Sequence, residues 1–189
     1  QIAAVTALHP HDALPIPVPR RSGLLPLAYR ISYREPLSRT LAGNSRFIGM
    51  RPGEILALQR RHIAEDCSKL VIEKRLYRGD IDDPKTRSST RTVGIPSQTA
   101  RELRQWMELV PRHPEAWVFA SENPAKPLWR DNVWYRSMKP TLEAIGLGWA
   151  NFQVLRRTHA SLGHDAGIDP KVSADQRGHG IGVALDVYT

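Results

Sequence analysis

A single cysteine, Cys67, occurs in 189 residues. It cannot close an internal disulfide, and it excludes a cysteine-based zinc site. No apolar run approaches the roughly 20 residues that a membrane-spanning helix needs. The N-terminal stretch lacks a basic region followed by an apolar core, so no secretory signal is read there. These absences give the expectation of a cytoplasmic setting without a membrane partner. A glycine-rich GxxxxGK loop followed by Ser or Thr is also lacking, so ATP is not implied. His159 and His164 are five apart, off the i,i+4 spacing of a helical metal pair. No zinc, and no other cofactor, is expected. There is no internal repeat.

Positive charge, by contrast, is plentiful. Lys and Arg number 27 against 19 Asp and Glu, a net charge of +8, with hydrophobic residues at 41%. The apolar share fits a packed core. The charge favours a polyanion such as nucleic acid, set against the plainer reading of a basic protein with no special partner.

Proline and lysine divide the chain unevenly. Residues 1–46 hold Pro10, Pro15, Pro17, Pro19, Pro26 and Pro36, whereas the first lysine is Lys69. Proline at that density opposes regular helix. The segment 1–46 is therefore read as an irregular, Pro/Arg-rich N-terminal segment, and 47–189 as the globular domain. Within it, PGEILALQ (52–59) predicts a helix start, with Pro52 in the first turn and Glu54 near the positive dipole end. KLVIEKRLY (69–77) and TRTVGIP (90–96) predict a hairpin-like β ribbon around a polar connector. Thr99 with Glu102 fits a capping box ahead of a helix in which Ala100, Leu103, Trp106/Met107 and Val110 recur at helical spacing. Asp131 is read as the cap of another helix, ended or kinked by Pro140. FQVLRRTHASLGHDAG (152–167) reads as a helix closed by Gly167, and Asp169-Pro170 opens a short one that Gly178 stops. The expected class is α+β, mainly α-helical, with a small antiparallel β-sheet near the N-terminal part.

Five positions gain meaning together: Arg51 in GMRPGE, Lys85 in DPKTRSS, Arg156 in QVLRRTH, His179 in RGHG and Tyr188 in LDVYT. Alone, each has an ordinary reading as a surface charge, a cap or a packing residue. In this order and context they resemble the catalytic domain of the tyrosine recombinases, or phage integrases. That family carries an arginine in G-L/M-R-x-G-E-I/L, a lysine in a β-hairpin, an H-x-L-R segment, and G-H followed by the nucleophile in L-x-x-Y-T/S. The resemblance covers roughly 47–189.

It implies an enzyme for site-specific DNA recombination or integration, acting on double-stranded DNA. Strands are cleaved and rejoined through a 3′-phosphotyrosine, so one hard step becomes two easier ones. Tyr188 would be the nucleophile. Arg51 and Arg156 would hold the phosphate with planar forks suited to its charge. Lys85 would protonate the leaving 5′-oxygen, and His179 would hydrogen-bond the phosphate. The family departs from this chain at Gln153, which stands where a histidine is usual. Glutamine can hydrogen-bond a phosphate but cannot take a proton at useful pH. Gln153 is therefore placed in the site as a ligand. His159, six residues on, falls on a different helix face. Glu54 is read as bracing an arginine or capping its helix. Lys74, Arg75, Arg78, Arg87 and Arg91 on the ribbon are read as a solvated face or as contacts to a DNA backbone.

The alternative reading is a catalytically impaired DNA-binding remnant, favoured by Gln153; a helical interaction module without a DNA role is a third. Family members work as homotetramers on paired sites. They carry an N-terminal helical domain, which 1–46 does not resemble, and often a helix beyond the tyrosine. The expectation for this chain alone is weak DNA affinity and weak assembly.

Overall fold

The computed structural model describes residues 48–83 and 90–178. Lys85, His179, Tyr188 and the whole of 1–46 lie outside the described residues. The chain enters through Ile48 and Met50, both buried, and turns into helix α1 (Pro52–Leu56). A 3-10 turn at Arg60–His62 leads to strands β1 (Lys69–Ile72), β2 (Arg75–Tyr77), β3 (Asp80–Asp82) and β4 (Arg91–Gly94). Helix α2 (Ser97–Met107) follows directly. Then come α3 (Arg130–Val133), a π-wound turn at Trp134–Met138, α4 (Lys139–Ala144), α5 (Phe152–Asp165) and α6 (Pro170–Arg177).

The ribbon predicted from sequence is two nested antiparallel pairs. β1 pairs with β4 from Lys69↔Gly94 to Ile72↔Arg91, and β2 pairs with β3 from Arg75↔Asp82 to Tyr77↔Asp80. The tight turn is Arg78-Gly79, with φ of 51° and 98°. Positive φ at both central residues matches the right-handed twist of the flanking strands. The β1–β4 pair thus closes around the connector read from the sequence, with the β2–β3 hairpin inside it; Lys85 falls between β3 and β4 in sequence, outside the described residues.

Two helix caps read from the sequence are corrected. Asp131 lies inside the first turn of α3, whose N-cap is Trp129 with no side-chain cap bond, and it pairs with Arg130 instead. α2 begins at Ser97 with Pro96 as its N-cap, and no side-chain cap bond forms. Thr99 is turned into the core instead. The Ile95 N–H donates to the Ser68 carbonyl, which delivers the chain straight from β4 into the helix before Thr99 is reached. Of the two outcomes read for Pro140, it does not end its helix; the winding changes just ahead of it instead. It sits in the first turn of α4, where its missing N–H costs nothing. The preceding turn widens so that the Lys139 N–H donates to the Trp134 carbonyl. A π turn of this kind relieves the clash that a proline ring makes with the carbonyl four residues earlier.

One main core joins these elements. Ile55, Leu56, Leu58, Leu70, Ile72, Val93, Leu103, Phe119, Met138 and Leu155 are all buried in it. Burying each such side chain contributes about 1.5–3 kcal/mol. α2 presents Ala100, Leu103, Trp106 and Met107 to this core, at the predicted helical spacing. Trp106 stacks on Phe119 at 5.8 Å and its indole N–H donates to the Val118 carbonyl at 2.7 Å. A smaller cluster of Leu142, Leu147 and Ala150 lies under Trp134 and Val154. α5 is capped at its start by the Asn151 side chain, which accepts from the Val154 N–H at 3.0 Å. Asp169 caps α6 in the same way, accepting from the Lys171 N–H at 2.7 Å.

α1 packs against β2 through a close approach at Gly53. A Cβ there would stand 2.4 Å from the Leu76 carbonyl oxygen. Gly53→Ala is expected to lower stability by about 1–3 kcal/mol, the usual range for an overpacked contact. Urea denaturation of the two proteins measures the difference.

Candidate active site

Arg51, Gln153 and Arg156 come from distant parts of the chain and line one cleft of about 480 Å³. Arg130, Asp131, Trp134, Tyr135, Asn151 and Phe152 complete much of its wall, with Pro52. Gln153 and Arg156 are three apart on α5, so the helix sets them side by side. Gln153 is exposed on the first turn, whereas Arg156 is buried behind it.

Each arginine is held by its surroundings. The Arg156 guanidinium donates through its two Nη atoms to the Gly49 and Arg177 carbonyls. It thereby ties α5 to the chain before α1 and to the end of α6. Burial first, and then the Arg51 charge, push its pKa down to about 9. It stays a cation at neutral pH, in a place where water solvates it poorly. Arg51 is more open, with 40% of its side chain exposed. Its Nη1 donates to Glu54 at 2.8 Å, and its Nη2 to the Gly178 carbonyl at 3.2 Å.

Glu54 is the anionic partner beneath the site. Its side chain is only 4% exposed. One carboxylate oxygen accepts the Arg51 backbone N–H at 2.8 Å, so the residue caps α1 and braces the arginine at once, as its sequence position implied. The other partner is Arg91 on β4. Its Nη1 and Nη2 donate to the two Glu54 oxygens at 3.3 and 3.1 Å, and its Nε donates to the Gln176 carbonyl at 2.7 Å. Arg91 is thus not part of a solvated ribbon face. Its side chain is 8% exposed, and it joins β4, α1 and α6. The sequence carried no local signal of this, since Glu54 lies 37 residues away.

Of the other ribbon charges, Arg78 is exposed, Lys74 and Arg75 are half-buried, and Arg87 lies outside the described residues. Lys74 pairs with Asp83 at 2.6 Å, and Arg75 with Asp82 at 3.6 Å. His159 is buried away from the cleft lining, beside Gly49 and Arg177. Burial and the charges of Arg177 and Arg156 lower its pKa to about 4, so it is neutral at pH 7. It is not part of the cleft that Gln153 lines. Cleft residues not singled out from sequence include Arg130, Tyr135 and Asn151. Only Asn151 had a local signal, as an Asn ahead of an apolar-periodic helix. Among the described residues no three His, Cys, Asp or Glu side chains come together as a metal cage, and no helix is long and apolar enough to cross a membrane.

Two guanidiniums at the wall of an open cleft, with a side-chain amide beside them, suit an oxyanion. Planar forks match phosphate geometry, and partial burial strengthens their pull.

Burial raises the Glu54 pKa, but the hydrogen bonds and charges of Arg91 and Arg51 outweigh it, and the net shift is downward from 4.5. A carboxylate with a lowered folded-state pKa stabilises the fold above the unfolded value and loses that contribution as pH falls through the folded value. Glu54→Gln leaves Arg91 buried without its counter-charge, so a loss of about 3–5 kcal/mol is expected at pH 7. The gap between the two proteins is expected to be constant above about pH 5 and to shrink below pH 4.5. Denaturation midpoints across that range check it.

Comparison with known proteins gives the frame for this cleft. No family model and no curated protein sequence matches the chain. Solved structures do match. The Tn1549 transposon integrase in complex with transposon right-end DNA aligns with a TM-score of 0.65 at 19% identity, over 85% of this chain and 55% of that one. The XerA recombinase aligns with a TM-score of 0.66 at 14% identity, over 97% of this chain and 62% of that one. A lambda integrase dimer bound to a core site aligns with a TM-score of 0.56 at 18% identity, over 80% and 42%. The chain thus spans about two fifths to three fifths of the length of these proteins. The chain has the fold of the tyrosine recombinases and integrases.

Proposed function

We propose that residues 47–189 are the catalytic domain of a site-specific DNA recombinase that breaks and rejoins strands through Tyr188. The convergence of Arg51, Gln153 and Arg156 on one cleft carries this reading. These are three of the positions singled out by motif, and they meet in a fold shared with proteins solved on DNA.

In the proposed reaction the scissile phosphate sits in the cleft between Arg51 and Arg156. The Tyr188 oxygen attacks phosphorus as its phenolic proton passes to solvent, the bond from phosphorus to the 5′-oxygen breaks, and the strand remains as a 3′-phosphotyrosine. Lys85 gives its proton to the departing 5′-oxygen. His179 and Gln153 donate hydrogen bonds to the phosphate oxygens. Negative charge gathers on those oxygens in the transition state, where fixed cations act most strongly. The 5′-hydroxyl of a second strand then displaces the tyrosine and restores a phosphodiester. No energy-rich cofactor is required, because the ester stores the bond energy. Double-stranded DNA is the substrate, and a homotetramer on paired sites is the proposed assembly of the full-length protein. Residues 1–46 are assigned no part in the chemistry.

Gln153 favours a second reading, a DNA-binding remnant that no longer cleaves. One assay separates the two. A pool of nicked duplexes with randomised flanks, incubated with the full chain, is expected to yield a covalent protein–DNA adduct that disappears in Tyr188→Phe. Wild-type protein that binds the pool but forms no adduct would support the remnant. Binding that does not weaken with added salt would sink both readings, since phosphate contacts release counterions. If the tyrosine lacks an efficient proton acceptor, Gln153→His is expected to raise the rate of adduct formation at pH 7 by about tenfold or more. Single-turnover kinetics of the two proteins measures it.

A further inference from the structure

The pairing of Arg91 with Glu54 lies beneath the cleft rather than in it. Arg91 does not line the cavity, and nothing in the motif pattern assigns it a role. Its contacts are nonetheless directed at the site. The Glu54 carboxylate receives four hydrogen bonds: the Arg51 backbone N–H and Arg91 Nη2 on one oxygen, Arg51 Nη1 and Arg91 Nη1 on the other. The carboxylate is therefore gripped from both sides, by a buried arginine on β4 and by the half-open arginine of the cleft.

Arg91 also holds the other support of Arg51. Its Nε donates to the Gln176 carbonyl in the last turn of α6. Two residues later the Gly178 carbonyl accepts Arg51 Nη2. Gly178 itself packs onto the Arg91 fork, where a Cβ would come within 2.7 Å of Arg91 Nη1. Both acceptors of the Arg51 side chain, the carboxylate and the carbonyl, are thus set in place by one buried guanidinium.

We propose that Arg91 is a positioning residue for Arg51: by clamping Glu54 and the end of α6 together, it aims the Arg51 fork into the cleft. The inference rests on the recombinase reading for its effect on rate, but the contact itself does not. A long, half-exposed side chain has many rotamers, and holding it in one geometry costs entropy that a rigid pair of acceptors removes before substrate arrives. Lysine at 91 keeps the charge but offers one compact ammonium in place of a fork. It cannot serve two carboxylate oxygens and a main-chain carbonyl in the same geometry.

The test uses the full chain with Arg91→Lys, and Glu54→Asp as a second variant whose shortened carboxylate cannot meet both arginines. Each is checked for folding by circular dichroism and thermal melting. Two readouts follow. One is the Arg51 Nε–H signal in arginine-labelled NMR spectra. The other is single-turnover adduct formation on the nicked duplex pool, with DNA affinity measured separately. For a folded variant we expect the Arg51 signal to shift or broaden, affinity to change less than about threefold, and the cleavage rate to fall about tenfold or more, as misaimed catalytic groups do. An unchanged Arg51 signal, or an unchanged rate with folded protein, overturns the proposal. So does failure of both variants to fold, which would leave Arg91 a structural residue only. Wild-type protein that forms no adduct refutes the recombinase reading instead, and the NMR signal then decides the Arg51 contact by itself.

Discussion

A carboxylate buried between two guanidiniums organises this domain. Glu54 is placed by α1, Arg51 stands just ahead of that helix, and Arg91 arrives from β4. Taking one carboxylate and one guanidinium out of water is costly, and such a pair persists only where geometry is good and every lone pair is used. Here the carboxylate oxygens accept four N–H groups, so that condition is met. The arrangement forces three elements into register. α1 cannot shift along the ribbon without breaking it, and α6 is drawn in through the Gln176 carbonyl.

Arg156 applies the same logic elsewhere in the cleft lining. Its guanidinium spends donors on two main-chain carbonyls, Gly49 and Arg177, which lie on either side of it in the sequence. The cleft is therefore bounded by cations whose positions are set by backbone as much as by side chains. Burial, and then the nearby Arg51 charge, lower the Arg156 pKa without discharging it at neutral pH. A site of this kind is electrostatically incomplete by itself, and an anion in the cleft would relieve it. That is the physical link between the architecture and the proposed chemistry on phosphate.

Much of the local structure was legible from residue order. The Asp169 cap, the Gly167 and Gly178 helix ends and the apolar stripe of α2 follow from short-range rules that act within one or two turns. The adjacency of Gln153 and Arg156 was equally readable, because a helix repeats every 3.6 residues. The misreadings share a different cause. Thr99 has the residue types of a cap but is turned inward by the β4–α2 junction, and Asp131 falls inside the first turn of α3 because that helix already starts at Arg130. In both cases the chain enters the helix before its cap signal is reached. Arg91 was invisible for a stronger reason: one arginine among several on a ribbon looks like surface until its acid is seen arriving from another element.

What the sequence by itself determined is the chemical inventory and its order. Arginines, a lysine, a glutamine, a histidine and a tyrosine stand in a motif succession, on segments whose helical or extended character follows from spacing and caps. What only the tertiary structure decided is which charges are buried and which face solvent. That choice depends on long-range contacts between α1, β4 and α6, whose energies exceed any propensity acting along the chain. It made Arg91 an internal brace, His159 a neutral buried residue, and Arg51, Gln153 and Arg156 the walls of one cleft.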